Sequence, residues 1–442
     1  MNSPQSSVLG PRSPSPGGAG GDPDRGLRTE DRGPRIEDRG PGTCRRDFVR
    51  ITLGSGLGLF ASKFGLSAQE TVVAGAKAKA CILLWLQGGP SQTDTFDVKP
   101  ELTPFKEIET TGEARISEGF PRLAREMKRV SLIRTLHSND PNHATATYLL
   151  HTAYRKTPGL EHPHCGSVIA HELGERSDLP GCVVIGGDPQ CGAGYLPGEK
   201  GPVIFDKLDN PAEDVKLAVS KERMKRRWEM LSALDEKYGK EHERRAVEER
   251  RQAYERAYRV LTSDKVKAFD LSKEEPGRYG TTPFGRACLM ARRLVEAGVR
   301  FVEVAMGDWD THSDDVARHR TLMETLDGPY AALTADLADR RLLDETMVIC
   351  MGEFGRTPKL NGSGGRDHFT KCWSVALGGG GLAGGRVVGR TDGFEVQERP
   401  VSVQDLFSTL YKAFGINPSK EHKAAGRPLK LVDGGLPVKE LL

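Results

Sequence analysis

From Lys79 onward, long apolar runs alternate with segments in which apolar residues recur at helical spacing. Unbroken apolar runs of this length are typical of strands buried on both faces of a sheet. They are residues 80–87, 130–137, 181–187, 299–306, 346–352 and 373–381. Helical patterns lie at 283–298, from near His312 to Leu342, and at 403–416. Strands that alternate with helices predict a three-layer α/β/α fold with a mostly parallel sheet.

Three segments depart from this alternation. Residues 1–42 are rich in Pro, Gly, Ser and Arg, so we expect a disordered extension or a stretch upstream of the true start. Residues 43–70 carry a basic pair before a short apolar stretch. A helical insertion is predicted at about 206–276, where acids and bases interleave as on a solvated helical hairpin. Residues 77–442, which include this insertion, are predicted to form one large domain.

Composition excludes several classes of protein. The 442 residues carry a net charge of +3, which gives no reason to expect binding to nucleic acid or to an anionic membrane surface. No apolar stretch reaches the roughly 18 residues that a membrane helix needs. The eight cysteines include no C-x-x-C pair, which argues against a dense disulfide framework or a structural zinc knuckle.

The pair Arg45–Arg46 indicates a route out of the cytoplasm. It precedes a weak, Gly-rich apolar stretch, and the whole segment resembles a twin-arginine export signal. The alternative is a basic linker before a short helix. The first interpretation predicts that the twin-arginine machinery exports the protein to the periplasm or the cell exterior.

Polar side chains follow four of the predicted strands. Because the carboxyl ends of parallel strands meet at one edge of a sheet, these side chains are expected to lie close together. Carboxylates and imidazoles that converge in this way repel each other unless a cation lies among them. The sequence therefore predicts a metal-dependent site. The candidates are Ser91, Asp94 and Asp97; Ser138, Asn139, Asn142 and His143; Asp308, Asp310 and His312; and Glu353, Arg356, Asp367 and His368.

These residues carry a resemblance to known proteins. Asp308-x-x-x-His312 resembles the D-x-x-x-H ligand pair of the alkaline phosphatase superfamily, and the "GRDH" that ends at His368 resembles its final histidine ligand. The segments "LWLQGGPSQTDTFDVKP", "GDWDTHSD" and "GEFGRTPKLNGSGGRDHF" together resemble the bacterial family called domain of unknown function 1501. The resemblance covers about residues 79–416 and implies an alkaline phosphatase-like fold.

The resemblance also implies roles for individual residues. One metal position would have Asp308, His312 and His368, a set that favours zinc, although calcium or manganese would suit a more oxygen-rich shell. A second, weaker position would have Asp94 and Glu353, because Phe354 stands where the superfamily has histidine. A Phe354→His substitution is expected to tighten that second position. Either Ser138 or a bound water is the candidate nucleophile. Asn142 is expected to steady the anion, and Arg356 is expected to hold either the anion or a neighbouring carboxylate.

Several residues remain between two interpretations. Asp310 and Asp314 are either caps of the helix near His312 or metal ligands. His143 is either a hydrogen-bonded core histidine or part of the site. Asp367 is expected to orient His368 rather than to bind metal.

The predicted function is that of an exported, metal-dependent hydrolase of phosphate or sulfate esters. Its substrate would be a small anionic ester or a sulfated or phosphorylated polymer. The alternative is a non-catalytic surface protein that is stabilised by metal and binds carbohydrate or a cell-wall partner. The clustered ligands favour the enzyme, whereas the unassigned nucleophile and Phe354 favour the alternative.

Overall fold

A computed structural model describes residues 76–208, 215–241 and 244–442. The predicted extension at 1–42 and the twin-arginine segment at 43–70 lie outside these residues. Within the described part, no helix is both long enough and apolar enough to cross a membrane.

A nine-stranded sheet forms the centre of the domain. In chain order its strands are β1 (Ala80–Leu86), β2 (Val130–His137), β3 (Cys182–Ile185), β4 (Val203–Phe205), β5 (Phe301–Met306), β6 (Thr346–Met351), β7 (Trp373–Gly379), β8 (Val387–Val388) and β9 (Val401–Ser402). Across the sheet they lie in the order β8-β2-β7-β6-β1-β5-β3-β4, and β9 pairs with β2. Every pairing is parallel except the two made by β7.

Helices cover both faces of this sheet. The helices are α1 (His143–Thr152), α2 (Cys165–Leu173), α3 (Lys221–Glu241), α4 (Arg244–Thr262), α5 (Pro283–Glu296), α6 (Asp315–Asp339) and α7 (Val403–Ala413). Alternate residues of β1 belong to two separate cores: Ile82 and Leu84 pack on the side of α5 and α6, while Leu83 and Trp85 pack on the side of α1, α2 and α7. The predicted three-layer α/β/α fold is therefore confirmed.

Short two-stranded ribbons complete the domain. They pair Glu107–Ile108 with Ile116–Ser117, Gly355–Arg356 with His368–Phe369, Arg390–Thr391 with Val396–Glu398, and Glu421–Ala424 with Arg427–Lys430.

One edge of the sheet collects the polar segments. Strands β1, β2, β5 and β6 run in the same direction, so their carboxyl ends share this edge. The antiparallel strand β7 begins at the same edge, which places the ribbon residue His368, just before it, near the loops that follow the other strands. At the end of β2 the chain turns at once into α1, whose first turn is capped by the side chain of Asn142. The topology therefore brings segments that are far apart in sequence to one place.

Candidate metal centre

Three histidines and one aspartate meet at this edge, and we call them the edge cluster. His143 opens α1, Asp310 and His312 lie in the loop after β5, and His368 lies in the ribbon before β7. Ligand atoms of His143, Asp310 and His368 all lie within 4.8 Å of one another. His312 joins them, because its Nε2 is 3.0 Å from Nε2 of His368 and 3.1 Å from Oδ1 of Asp310.

The Nδ1 atom of each histidine in the edge cluster has its own hydrogen-bond partner. Each partner is a carboxylate or carbonyl oxygen, which accepts hydrogen bonds and cannot donate them, so each Nδ1 carries a proton. In a neutral imidazole Nε2 is then an unprotonated lone pair. The three Nδ1 bonds run from His143 to Glu353 Oε1 (2.7 Å), from His312 to Asp367 Oδ1 (3.0 Å) and from His368 to the Pro141 carbonyl (2.7 Å).

The Nε2 atoms therefore present lone pairs to one another and to a carboxylate. Those of His312 and His368 lie 3.0 Å apart, and Nε2 of His143 is buried without a hydrogen-bond partner, 3.4 Å from Asp310 Oδ2. Nitrogen and oxygen ligands at 2.0–2.1 Å from a tetrahedral zinc ion are separated by about 3.3 Å. A cation at the centre would replace repulsion between lone pairs with ligation. The side-chain set fits zinc, since imidazole is one of its preferred ligands.

Neighbouring groups fix the orientation of these side chains. The carboxylate of Glu353 is fully buried, and its Oε1 accepts the Gly88 N–H at 2.9 Å as well as the bond from His143. Hydrogen bonding to Glu353 raises the pKa of His143, although burial opposes the shift. The ring of Phe354 packs against both His143 and His368, with centroid distances of 4.9 and 4.5 Å. This arrangement matches the usual surroundings of a metal-binding histidine, whose second nitrogen is held by an oxygen.

Arg356 lies behind the edge cluster. Its guanidinium is fully buried and donates to the Gly88 and Gly89 carbonyls, to the Arg366 carbonyl and to Asp310 Oδ1. Burial alone would raise the pKa of Asp310, but the bond from Arg356 and nearby charges lower it below its usual range. Arg356 thus holds Asp310 in its ionised form. Of the two roles expected for Arg356, this contact with Asp310 matches the one in which it holds a neighbouring carboxylate.

The predicted aspartate of the D-x-x-x-H pair takes a different position. Asp308 has a left-handed backbone conformation, with φ of 72°, and its carbonyl accepts a bond from Arg318 at 2.8 Å. The structure brings Asp310, two residues further on, to the histidines instead. Asp314 occupies the N-cap position of α6 without a side-chain capping bond. Asp367 contacts His312 rather than the expected His368. Asp308 and Asp310 both precede His312 by a few residues, so the sequence alone does not choose between them.

Asp94 belongs to a second, fully buried group, which we call the arginine cluster. It contains Asp94, Asp315, His319 and Arg366. Nε of Arg366 lies 2.8 Å from Asp94 Oδ2 and 3.0 Å from Asp315 Oδ2. The structure therefore does not bring Asp94 together with Glu353 as the predicted second metal position requires. A guanidinium already occupies the space between these carboxylates.

Ser138 and Asn142 lie at the end of β2. The Ser138 N–H donates to the Thr370 carbonyl at 2.9 Å, and its hydroxyl oxygen accepts the Asp140 N–H at 3.3 Å. Ser138 also lines a cavity of about 150 Å³ with Arg155 and Gln404 among its other walls. The amide oxygen of Asn142 caps α1, accepting N–H bonds at 3.1 and 3.3 Å, which leaves its NH₂ group as a donor.

No curated protein sequence matches this chain. Among solved structures, it is similar to a phosphonate monoester hydrolase of Agrobacterium radiobacter, at 12% identity and a TM-score of 0.39, over 82% of this chain and 77% of that one. It is similar to the lipoteichoic acid synthase LtaP from Listeria monocytogenes, at 11% identity and a TM-score of 0.36, over 81% and 75%. It is also similar to the PsFucS1 sulfatase from Pseudoalteromonas sp., at 10% identity and a TM-score of 0.35, over 77% and 68%.

The sequence itself matches one family over most of its length. The match runs from residue 78 to residue 442, which spans every strand and helix of the domain described above. The family expected from the strand-end motifs is confirmed: the chain belongs to the family described as Protein of unknown function (DUF1501).

Proposed function

We propose that the edge cluster binds a divalent ion, zinc by preference, and that the protein hydrolyses phosphate or sulfate esters there. The observation that carries this proposal is the convergence of three Nε2 lone pairs and the Asp310 carboxylate, each Nδ1 being anchored to an oxygen. A bound ion would supply Lewis acidity toward an ester oxygen. Zinc is preferred to calcium or manganese because three of the four side chains are imidazoles.

The open side of the edge cluster gives a substrate its approach. The side chains of His312 and Asp310 are 47% and 45% exposed, whereas Glu353 and Phe354 form a fully buried floor. A substrate anion therefore reaches the cluster from the side of the β5 loop. Arg356 keeps Asp310 ionised, and Glu353 and Asp367 keep two imidazoles in the tautomer that binds a cation.

The cavity beside the end of β2 suits the remainder of a substrate. Its walls include Ser138, the exposed Arg155 and Gln404, which together offer a hydroxyl, a positive charge and an amide. Asn142 directly precedes His143 in the chain. Its NH₂ group keeps two hydrogens that it can donate to an anionic oxygen. We propose that the nucleophile is either Ser138 or a water held by the ion, and the ion would lower the pKa of the oxygen that it binds.

Export completes the proposal. The twin-arginine segment would deliver the folded protein outside the cytoplasm, where a sulfated or phosphorylated polymer or a small anionic ester would be its substrate. Replacing Arg45 and Arg46 with lysine is expected to leave the precursor inside the cell. Unchanged arrival outside would contradict the assignment.

The test of the proposed function compares wild type with His312→Ala after loading with zinc. We expect wild type to hydrolyse at least one of an aryl phosphate, an aryl sulfate and a phosphodiester, and His312→Ala to be slower by about a hundredfold or more. His171→Ala is the matched control, because His171 is an exposed histidine at the far end of α2. Zinc binding without hydrolysis of any of these esters would favour a non-catalytic binding protein. Equal rates for wild type and His312→Ala would exclude the edge cluster as the active site.

A further inference from the structure

A second group of metal-type side chains lies inside the domain. Glu303 is in the middle of β5, His151 is in the last turn of α1, and His164 is the N-cap residue of α2. All three are fully buried, and their ligand atoms lie within 4.8 Å of one another. We call them the buried cluster; it shares no residue with the edge cluster.

The two histidines of the buried cluster have different tautomers. Nδ1 of His164 accepts the Gly166 N–H at 2.9 Å, so in neutral His164 the proton is on Nε2, which donates to Glu303 Oε2 at 3.3 Å. Nδ1 of His151 faces the Thr147 carbonyl at 2.7 Å and must donate to it. Nε2 of neutral His151 then presents a lone pair to Glu303 Oε2 at 3.0 Å. This contact requires one more positive charge, either a proton or a metal ion.

The other oxygen of Glu303 distinguishes these two possibilities. Oε1 is buried and has no hydrogen-bond partner among the described residues. Gly187, which has no side chain, lies beside this oxygen, and a Cβ atom built there would be in van der Waals contact with it at 3.5 Å. A bare buried carboxylate oxygen is costly. A proton on His151 would satisfy Oε2 and leave Oε1 unpaired, whereas a metal ion bound by the carboxylate would satisfy both oxygens.

Thiols lie near the buried cluster without joining it. Sγ of Cys182 is 3.6 Å from Nδ1 of His164, the ring nitrogen that faces away from Glu303. None of the cysteine sulfurs in the described part of the chain is among the ligand atoms of the buried cluster that lie within 4.8 Å of one another. The buried cluster therefore consists of two imidazoles and one carboxylate.

We propose that Glu303 and His151 bind a second divalent transition metal and that His164 orients the carboxylate. Imidazole and carboxylate together suit zinc or cobalt better than magnesium or calcium. The Nδ1 bond of His151 to a backbone carbonyl is the usual support of a metal-binding imidazole. The ion would link α1 to β5 at His151, about two helical turns after His143. It would thereby help to hold α1, which carries His143, in place beside the sheet. This proposal does not depend on the proposed hydrolysis.

The experiment separates the two metal positions by removing the first. The double variant His312→Ala/His368→Ala, freed of metal and titrated with Co²⁺, is expected to bind one ion per chain with the intense visible absorption of a tetrahedral site. Adding Glu303→Gln, which keeps the shape of the side chain, should remove this ion. Glu395→Gln is the matched control, since Glu395 pairs with Lys371 at the surface. Glu172→Gln identifies cobalt bound by the separate group of His171, Glu172 and His422, whose ligand atoms also lie within 4.8 Å of one another.

Two results would overturn the proposal. One is a double variant that binds no cobalt, or binds it with the weak absorption of an octahedral aquo ion; the buried cluster would then hold a proton as an ion pair of His151 and Glu303. The other is equal cobalt binding with and without Glu303→Gln in proteins of equal circular dichroism. If Glu303→Gln fails to fold, the absorption of the double variant alone decides between a tetrahedral site and none.

Discussion

The edge cluster and the arginine cluster contain the same kinds of side chain and differ in what neutralises them. Each combines aspartate with histidine near the carboxyl ends of the central strands. In the arginine cluster, Arg366 bridges two buried carboxylates, and its remaining donors go to backbone carbonyls. In the edge cluster, Arg356 donates a hydrogen bond to Asp310. The Nε2 atoms of the imidazoles face one another and the carboxylate, and none of them carries a proton in the neutral state.

The difference shows that residue type alone does not identify a metal centre. In the arginine cluster one guanidinium lies between the two carboxylates, and the hydroxyls of Thr103 and Thr311 donate to them. A metal ion there would have to displace a buried guanidinium, which would then be left unpaired at high cost. In the edge cluster the protons are on the outer nitrogens and the lone pairs face inward, so the missing charge is positive. The comparison predicts function for the edge cluster and stability for the arginine cluster.

The largest expected effect comes from replacing one aspartate in each cluster by its isosteric amide. Asp310→Asn should lower kcat/KM for the best ester substrate by about a hundredfold to a thousandfold, because a neutral amide is a poor ligand and the ion is held less firmly. Asp94→Asn should leave the activity of the folded fraction within about threefold of wild type. Steady-state kinetics on zinc-loaded proteins provide the comparison. An equal loss in both variants would mean that the two clusters work as one site.

A loss of stability is expected when the arginine cluster loses its cation. Arg366→Leu leaves Asp94 and Asp315 buried without their partner, which should reduce the free energy of unfolding by about 3–5 kcal/mol. Arg390→Leu is the control, because Arg390 pairs with Glu398 at the surface and both are more than half exposed. That control should change stability by about 1 kcal/mol or less. Urea unfolding followed by tryptophan fluorescence measures both, and a small effect of Arg366→Leu would show that water reaches this cluster.

A smaller effect is expected from the support of one ligand. Asp367 orients His312 and is itself exposed, so Asp367→Asn should leave the fold intact. The loss of the carboxylate should weaken zinc binding by about tenfold to a hundredfold. Competition with a chromophoric chelator gives the affinity. Unchanged affinity would mean that Asn361 or water orients His312 equally well, since Asn361 also lies beside this carboxylate.

The fold followed from the sequence because its signals are local. All six apolar runs became strands of the sheet, and the helices predicted at 283–298 and 403–416 begin where expected. Helix α6 begins at Asp315, three residues after the predicted start near His312. Helices α1 and α2 gave no clear signal, because they are short and α1 carries three threonines. The reversed direction of β7 was not visible either, since strand direction depends on its neighbours and not on its own residues.

Only part of the candidate site could be predicted from the sequence, because the site depends on contacts between distant segments. The motif indicated His312 and His368, and the structure places both in the edge cluster. Spacing could not choose between Asp308 and Asp310, since the choice rests on a left-handed turn at Asp308. The position of Asp94 depends on Arg366, which comes from a loop 272 residues later in the chain. A sequence shows which side chains could bind a metal, but not which of them another part of the chain has already neutralised.

The most direct test is the anomalous difference map of a crystal grown with zinc and measured on both sides of the zinc absorption edge. The account predicts a strong peak about 2.0–2.1 Å from Nε2 of His143, His312 and His368 and from an oxygen of Asp310. It also predicts no peak among Asp94, Asp315 and Arg366. A zinc-soaked crystal without a peak at the edge cluster, or with its peak beside Arg366, would contradict the central claim.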